Sequence, residues 1–331
     1  MSIAYRLENI SFGYSGLTVL DIPELEIEAG KITALVGPNG SGKTTLLNML
    51  SFIEVPGKGE ISFFGEKVKN GDVLSFRRRV GLLLQNPYLF HSSVISNVES
   101  GLKIRGISPN ERHSASADAL AKVGLYGFEG RKATSLSGGE AQRVALARVL
   151  ALNPEVILLD EPATYMDAES ERRTEEVILE LNREKSVTII FTTQDILRAQ
   201  TLADKVLSIF RGSIVSASLA NLFSGKVSEG GKQFHTGKIV IFISGGSGNE
   251  THISVDPSDI VLSKESLHSS MRNSFKGRIV AIFEENGKVR IEVEAGERFQ
   301  SLITHDSLKE MGLHIGDDLW LSFKSTAVKV V

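Results

Sequence analysis

The sequence predicts an α/β protein in two parts: a larger unit in which helices alternate with a buried sheet, and a smaller β-rich unit behind it. Three observations carry that prediction. The apolar run Ile32–Val36 feeds a glycine-rich turn, Gly37-Pro38-Asn39-Gly40-Ser41-Gly42, which opens at Lys43-Thr44-Thr45 onto a helix-like stretch at 46–50. Apolar runs at 59–64, 80–84, 156–159 and 187–191 then alternate with helical patterns, the longest at 168–185. Past residues 224–232, whose Gly, Ser and charge content is that of a linker, only short β-runs remain.

With 331 residues, the chain can bury a core in each part. The expected division is a first domain at 1–225, a linker at 226–232 and a second domain at 233–331. Charged residues make up 23% and the net charge is −3, which argues against a nucleic-acid footprint. The absence of Cys excludes disulfides, thiolate metal sites and Cys nucleophiles, and fits a reducing compartment. MSIAYRLENI lacks a signal peptide's apolar stretch, and no apolar run approaches the roughly 18 residues of a membrane span.

The opening is β-rich. Residues 4–12 read as a strand ending in the turn Gly13-Tyr14-Ser15-Gly16, where Tyr14 is either a platform for a base or an aromatic packed on a sheet edge. Residues 25–27 and 31–36 follow as strands. The turn after them satisfies G-x-x-x-x-G-K-[ST] with Gly37, Gly42, Lys43 and Thr44. Its glycines let backbone N–H groups converge on phosphates, and the helix behind it adds unpaired N–H donors and a partial positive charge. Lys43 is expected to reach the β- and γ-phosphates, and Thr44 to offer its hydroxyl to Mg²⁺.

Gln85 stands at the carboxyl end of a core strand, where open α/β sheets bind ligands. It is placed to touch Mg²⁺ or the attacking water, or else only to cap or face solvent. Residues 86–105 read as helical with partly exposed apolar residues, either a contact with another protein or a satellite core. Ser108-Pro109-Asn110-Glu111 reads as a capping box with Pro at the first helical position. In Leu136-Ser137-Gly138-Gly139-Glu140-Ala141-Gln142, Ser137 is an N-cap with Glu140 three residues on, a second anion seat at a helix start. The run at 156–159 ends in Asp160 and Glu161, the first suited to hold Mg²⁺ through water and the second to orient or deprotonate a water. Thr192-Thr193-Gln194-Asp195 closes the last core strand, and a hairpin is expected around Arg211-Gly212. In the tail, β-runs are expected at 238–243, 252–255, 275–283, 288–293, 299–303 and 318–323, separated by turns at 245–248, 285–287 and 295–296, as in a small barrel or sandwich.

In that order, Tyr14, 37–45, Gln85, 136–142, 156–161 and Asp167 make residues 1 to about 225 resemble the ATP-binding subunit of an ABC transporter. The resemblance implies a P-loop NTPase cassette with a helical subdomain, binding ATP and Mg²⁺. It implies a head-to-tail homodimer in which Ser137, Gly138 and Gly139 of one copy close on the γ-phosphate held by Lys43 of the other. It also implies integral membrane permease subunits driven through residues 85–106, a peripheral place on the cytoplasmic face of the membrane, and indirectly a substrate-binding protein. The nucleotide-binding set is then Tyr14, Gly37, Pro38, Asn39, Gly40, Ser41, Gly42, Lys43, Thr44, Thr45, Ser137, Gly138, Gly139 and Gln142. Glu161, Lys43, Gln85 and Gln194 form the catalytic set, and Thr44, Gln85 and Asp160 the Mg²⁺ set.

The chain departs from the family's pattern in two places. Gln194 replaces the usual His, so the group can donate a hydrogen bond to the γ-phosphate but cannot share a proton. The loop Ala163-Thr164-Tyr165-Met166-Asp167 carries larger residues than its relatives. The tail resembles the OB-like, molbindin-type regulatory domains of importer ATPases, through 270–273, 275–279, Thr304, Ser307, 313–316 and 323–324. Ser270, Arg272 and Asn273 are the expected donors to a tetrahedral oxoanion, a structural turn with a surface Arg being the alternative. The expected function is an ATPase energising uptake of tungstate or molybdate, with sulfate, sugar, iron or polyamine import next. A soluble ABC ATPase and an ATP-binding sensor with little turnover are the readings from other classes.

Overall fold

The computed structural model describes residues 2–69, 71–163, 166–215, 219–228, 230–246, 251–285 and 288–330. Thr164 and Tyr165, and parts of the expected turns at 245–248 and 285–287, lie outside the described residues. The chain forms two compact units, Met1–Ile214 and Val215–Val331.

In the first unit, β1 (Ile3–Tyr14) and β2 (Leu17–Glu28) form an antiparallel hairpin. Ser15 and Gly16 both have positive φ at its tip, as a two-residue loop with the strands' own twist requires. β3 (Ile32–Val36) leads through the glycine-rich turn into α1 (Lys43–Leu50). β4 (Lys58–Phe63) and β5 (Glu66–Lys67) extend the hairpin into a sheet ordered β2-β1-β4-β5. Then come α2 (Val73–Arg77), β6 (Val80–Leu83), α3 (Val94–Ile104), α4 (Pro109–Lys122), α5 (Gly138–Leu150), β7 (Val156–Leu159), α6 (Ala168–Lys185), β8 (Thr188–Thr193), α7 (Ile196–Leu202), β9 (Lys205–Phe210) and β10 (Ser213–Val215).

The central sheet runs β10-β9-β3-β8-β7-β6, with parallel pairing from β9 through β6. Its registers pair Val36 with Thr193, Phe191 with Leu159 and Leu159 with Leu83. All those strands therefore end together, and the residues just past their ends meet at one edge of the sheet. Side chains alternate between faces: Ile32, Ala34 and Val36 pack in a core with α3 to α7, while Leu35, Leu158 and Ile190 pack in another with α1 and the antiparallel sheet. Arg211 and Gly212, both at positive φ, turn the hairpin between β9 and β10 as expected.

Residues 86–93 are not helical, contrary to the sequence reading, because buried Asn97 offers the chain a better arrangement. Its Oδ1 accepts from Phe90 N–H at 2.7 Å, and its Nδ2 donates to Phe90 O, Ser92 Oγ and Ser93 O at 3.0–3.1 Å. That pins a loop whose tip exposes Tyr88 (69%) and Phe90 (51%). Ser108 caps α4 with Pro109 behind it, but Glu111 takes the Ser108 hydroxyl instead of closing the expected box on the backbone.

Among the described residues, the second unit contains two three-stranded sheets and a five-stranded one, around a core that includes Phe223, Phe234, Phe299 and Phe323. The five-stranded sheet orders Val261–Ser263, Asp318–Phe323, Asn273–Glu285, Lys288–Ala295 and Glu297–Thr304, all antiparallel. The expected linker at 226–232 is corrected here, since the unit begins at Val215 and strands occupy Asn221–Ser224 and Lys226–Val227. Asn221 is buried, with Nδ2 donating to Val255 O (3.1 Å) and Gln300 O (2.9 Å) while Oδ1 accepts from Gln300 N–H (2.6 Å). Removing this side chain orphans several backbone groups, each worth about 1–3 kcal/mol when buried unpaired. Asn221→Ala should lower the stability of the fragment 215–331 by about 2–4 kcal/mol in urea unfolding. A change below the error of the extrapolation would place the residue outside the unit's core.

Candidate nucleotide site

The edge where the parallel strands end gathers the residues the sequence singled out. Past β3, the turn can form only with glycine at key points: Gly40 and Gly42 have φ of 75° and 105°, and a Cβ on Gly37 would lie 2.3 Å from Ile209 O. Lys43 opens α1 and folds back, its Nζ donating to Gly37 O at 2.8 Å and Pro38 O at 3.1 Å. Burial lowers its pKa, and the neighbouring Glu161 and Asp160 carboxylates act in the opposite direction. The turn's N–H groups and this ammonium thus form a positive concavity of the kind that binds phosphates.

Past β7, Asp160 is buried and accepts hydroxyl hydrogen bonds from Thr44 (2.8 Å) and Thr192 (2.7 Å). Glu161 stands at φ 44°, a left-handed conformation uncommon for a residue with a side chain, and its N–H donates to Thr192 Oγ1 at 2.8 Å. Its Oε2 accepts from Gln85 Nε2 at 2.9 Å and its Oε1 from Gln194 Nε2 at 3.1 Å, with Lys43 Nζ 4.0 Å from Oε1. Gln194 Nε2 also donates to Asn39 Oδ1 at 3.0 Å. Strand ends β3, β6, β7 and β8 thereby converge on one carboxylate beside one ammonium. Thr192 organises both acids and was not singled out by sequence; the signal for it is the pairing of β7 with β8, which local pattern does not reveal.

The Mg²⁺ expectation meets a suitable donor set. Thr44 and Asp160 present oxygens to each other at 2.8 Å, and Gln85 commits its nitrogen to Glu161, leaving its carbonyl oxygen to face a cation. Hard oxygen ligands few in number fit an ion that keeps several waters and takes the rest from phosphate. Among the described residues no group of three or more His, Cys, Asp or Glu could hold a metal by itself.

At the start of α5 the capping box forms as expected: Ser137 N–H donates to Glu140 Oε2 at 2.8 Å, and Glu140 N–H to Ser137 Oγ at 3.2 Å. Open space surrounds Gly138. Gly139, by contrast, lies against Ser170 Oγ, 2.9 Å from where a Cβ would stand. Ser170 is tied to Arg143 of α5 and to Asp167, which caps α6 by accepting from Ser170 N–H at 2.9 Å. The Ser170 N–H and hydroxyl hold the Asp167 carboxyl below its ordinary pKa. Gln142 is buried, and its Nε2 has no partner among the described residues. Ser41 is likewise buried with an unpartnered hydroxyl, a Cβ on Gly37 falling 2.7 Å from that oxygen. Tyr14 sits half-exposed at the tip of β1, edge-on to Phe12 at 5.0 Å, with its hydroxyl donating to Glu54 at 3.1 Å.

The oxoanion constellation in the tail is not assembled within one chain. Asn273 is buried and its amide pairs with the Phe242 backbone, accepting from the N–H at 2.7 Å and donating to the O at 2.9 Å. It mimics a strand neighbour, and one of its two Nδ2 hydrogens is committed there. Arg272 lies over the Phe242 ring at 4.5 Å, and Ser270 is exposed. Thr304 and Ser307 cap the helix His305–Met311, Ser307 N–H donating to Thr304 Oγ1 at 3.1 Å, and sit at the opposite end of Asn273–Glu285 from Lys324.

Comparison with known proteins agrees with this geometry. Residues 20–164 match the ABC transporter family and residues 269–330 the TOBE domain. A molybdate/tungstate import ATP-binding protein of Pyrococcus abyssi is 32% identical over 350 residues, covering 98% of this chain and 99% of its own length. A tungstate uptake system ATP-binding protein of Peptoclostridium acidaminophilum is 37% identical, over 64% of this chain and 96% of its own length. A Pasteurella multocida protein named for Fe(3+) import is 37% identical, over 65% of this chain and 61% of its own length. Among solved structures, a dimeric ATP-binding cassette in a post-hydrolysis state with ADP and Pi superposes with a TM-score of 0.59 at 28% identity, covering 63% of this chain and 96% of that one.

Proposed function

We propose that this chain, which belongs to the ABC transporter family as the ATP-binding subunit of an importer, energises uptake of tungstate or molybdate. The observation that carries the substrate class is the end-to-end match to a molybdate/tungstate import protein, cassette and tail together; the Fe(3+) relative matches over 65% of this chain.

The residues at the sheet edge divide the work. Lys43 and the turn's N–H groups bind the triphosphate; Thr44, Asp160 and Gln85 would hold Mg²⁺, which would supply neutralisation of phosphate charge. Glu161 orients the attacking water and accepts its proton, aided by the polar groups that fix its carboxylate. Gln194 donates its amide to the γ-phosphate. Ser137, Gly138 and Gly139 of a second copy close the site from the other side. Oxoanion sensing by the tail rests on the exposed Arg272 and Ser270, in a site shared between copies.

Cells lacking this chain should lose most tungstate and molybdate uptake and regain it on complementation, with iron and sulfate uptake unchanged. Isotope uptake measures all four. Loss of iron or sulfate uptake in place of tungstate would overturn the substrate assignment.

A further inference from the structure

Gln194 bridges the glycine-rich turn and the Glu161 carboxylate, beside the Thr44–Asp160 hydrogen bond and the Lys43–Glu161 pair. Glu161, as a carboxylate, can only accept, so the NH₂ end of the Gln194 amide must face it. Of its two N–H groups, one goes to Glu161 Oε1 at 3.1 Å and the other to Asn39 Oδ1 at 3.0 Å in the glycine-rich turn. Both donors are therefore occupied. The Gln194 side chain is exposed, so packing does little to hold it, and these two bonds set its orientation. A γ-phosphate at Lys43, whose Nζ is 4.0 Å from Glu161 Oε1, competes for the donor that Glu161 holds.

We propose that Asn39 is a positioning residue for hydrolysis, acting as the fixed pivot of Gln194. The proposal rests on the ATP-hydrolysing reading above. When ATP binds, the Gln194 N–H on Glu161 passes to the γ-phosphate while the N–H on Asn39 stays. Glu161 Oε1 then gives up the Gln194 bond and accepts from the attacking water instead, while Oε2 keeps its bond from Gln85 at 2.9 Å. An imidazole ring would need no such pivot, since its plane is rigid and its donor single. A flexible carboxamide does need one, because a second anchored bond decides whether its nitrogen or its oxygen faces the phosphate.

The test is a double-mutant cycle on the full chain, with ATP hydrolysis measured at steady state and, for slow variants, in single turnover with protein in excess. Asn39→Ala should lower kcat about tenfold, the worth of one oriented hydrogen bond, and change KM by less than about threefold. In the Gln194→Ala background it should have no further effect. Asn39→Asp, which keeps the accepting oxygen, should recover most of kcat while raising KM through its added negative charge. The proposal is overturned if Asn39→Ala raises KM at unchanged kcat, if its effect multiplies with that of Gln194→Ala, or if Asn39→Asp is as slow as Asn39→Ala. A parent chain without turnover would sink the ATPase reading and this proposal together; turnover in the parent with multiplying effects sinks this proposal alone.

Discussion

Glu161→Gln should reduce ATP hydrolysis by about 10²–10⁴-fold, the usual contribution of a positioned general base, while ATP still binds. The carboxylate can take a proton from water, and its position is set from several sides at once. Gln85 and Gln194 each donate to one of its oxygens, and its backbone N–H is fixed on Thr192. The substitution keeps the shape and reverses part of the hydrogen bonding. One end of the new amide becomes a donor and meets a donor from Gln85 or Gln194, so one of those amides must turn over. The variant also loses the negative charge 4.0 Å from Lys43, which removes a competitor of the triphosphate for the ammonium. Affinity for ATP should therefore be kept or rise. Nucleotide titration and steady-state turnover measure the two effects separately; turnover equal to the parent's would remove Glu161 from the role of base.

Lys43→Ala should act in the opposite sense, weakening ATP binding by about 30–100-fold, as expected for loss of charge-assisted hydrogen bonds of about 2–3 kcal/mol. The ammonium is buried and satisfied in the free chain by Gly37 O and Pro38 O. Those carbonyls hold it inside the turn, beside the seat for the phosphates. Its loss also leaves both carbonyls without this donor, so the turn itself should loosen. Lys43→Arg should not rescue binding, because the bulkier planar fork does not fit where a compact ammonium contacts two carbonyls. Calorimetric titration with ATP checks both variants, and an affinity within a factor of two of the parent's for Lys43→Ala would contradict the assignment.

Much of the cassette was legible in the sequence because backbone chemistry constrains it tightly. The glycine-rich turn requires positive φ at Gly40 and Gly42 and close approach at Gly37, and the runs ending at Val36, Leu83, Leu159 and Phe191 are largely apolar because both faces of their sheet are covered. What was missed depends on contacts distant in sequence. Residues 224–232 have a linker's composition, yet Ser224 pairs with His252 and Lys226 with His235. Residues 86–93 have apolar residues at uneven spacing, and the buried side chain of Asn97 together with the Ser93 cap explains why the helix waits until Val94. Asn273 looks like an anion donor in a row with Ser270 and Arg272. Its carboxamide matches a backbone N–H and C=O equally well, and the Phe242 backbone takes it. Short polar side chains that can imitate backbone are thus where local pattern and tertiary structure part.

In the proposed pair of copies, a nucleotide is held between the glycine-rich turn of one and the Ser137-Gly138-Gly139 helix start of the other. The most direct test is the molar mass of Glu161→Gln in solution, by sedimentation with and without ATP, since blocked hydrolysis should keep the closed pair from reopening. With ATP the mass should double, and adding Ser137→Arg, which places a bulky side chain at the capped helix start, should return it to that of a single chain. Glu161→Gln that remains a single chain with ATP demonstrably bound, or that pairs equally well when Ser137 is replaced, would contradict this arrangement of the two copies.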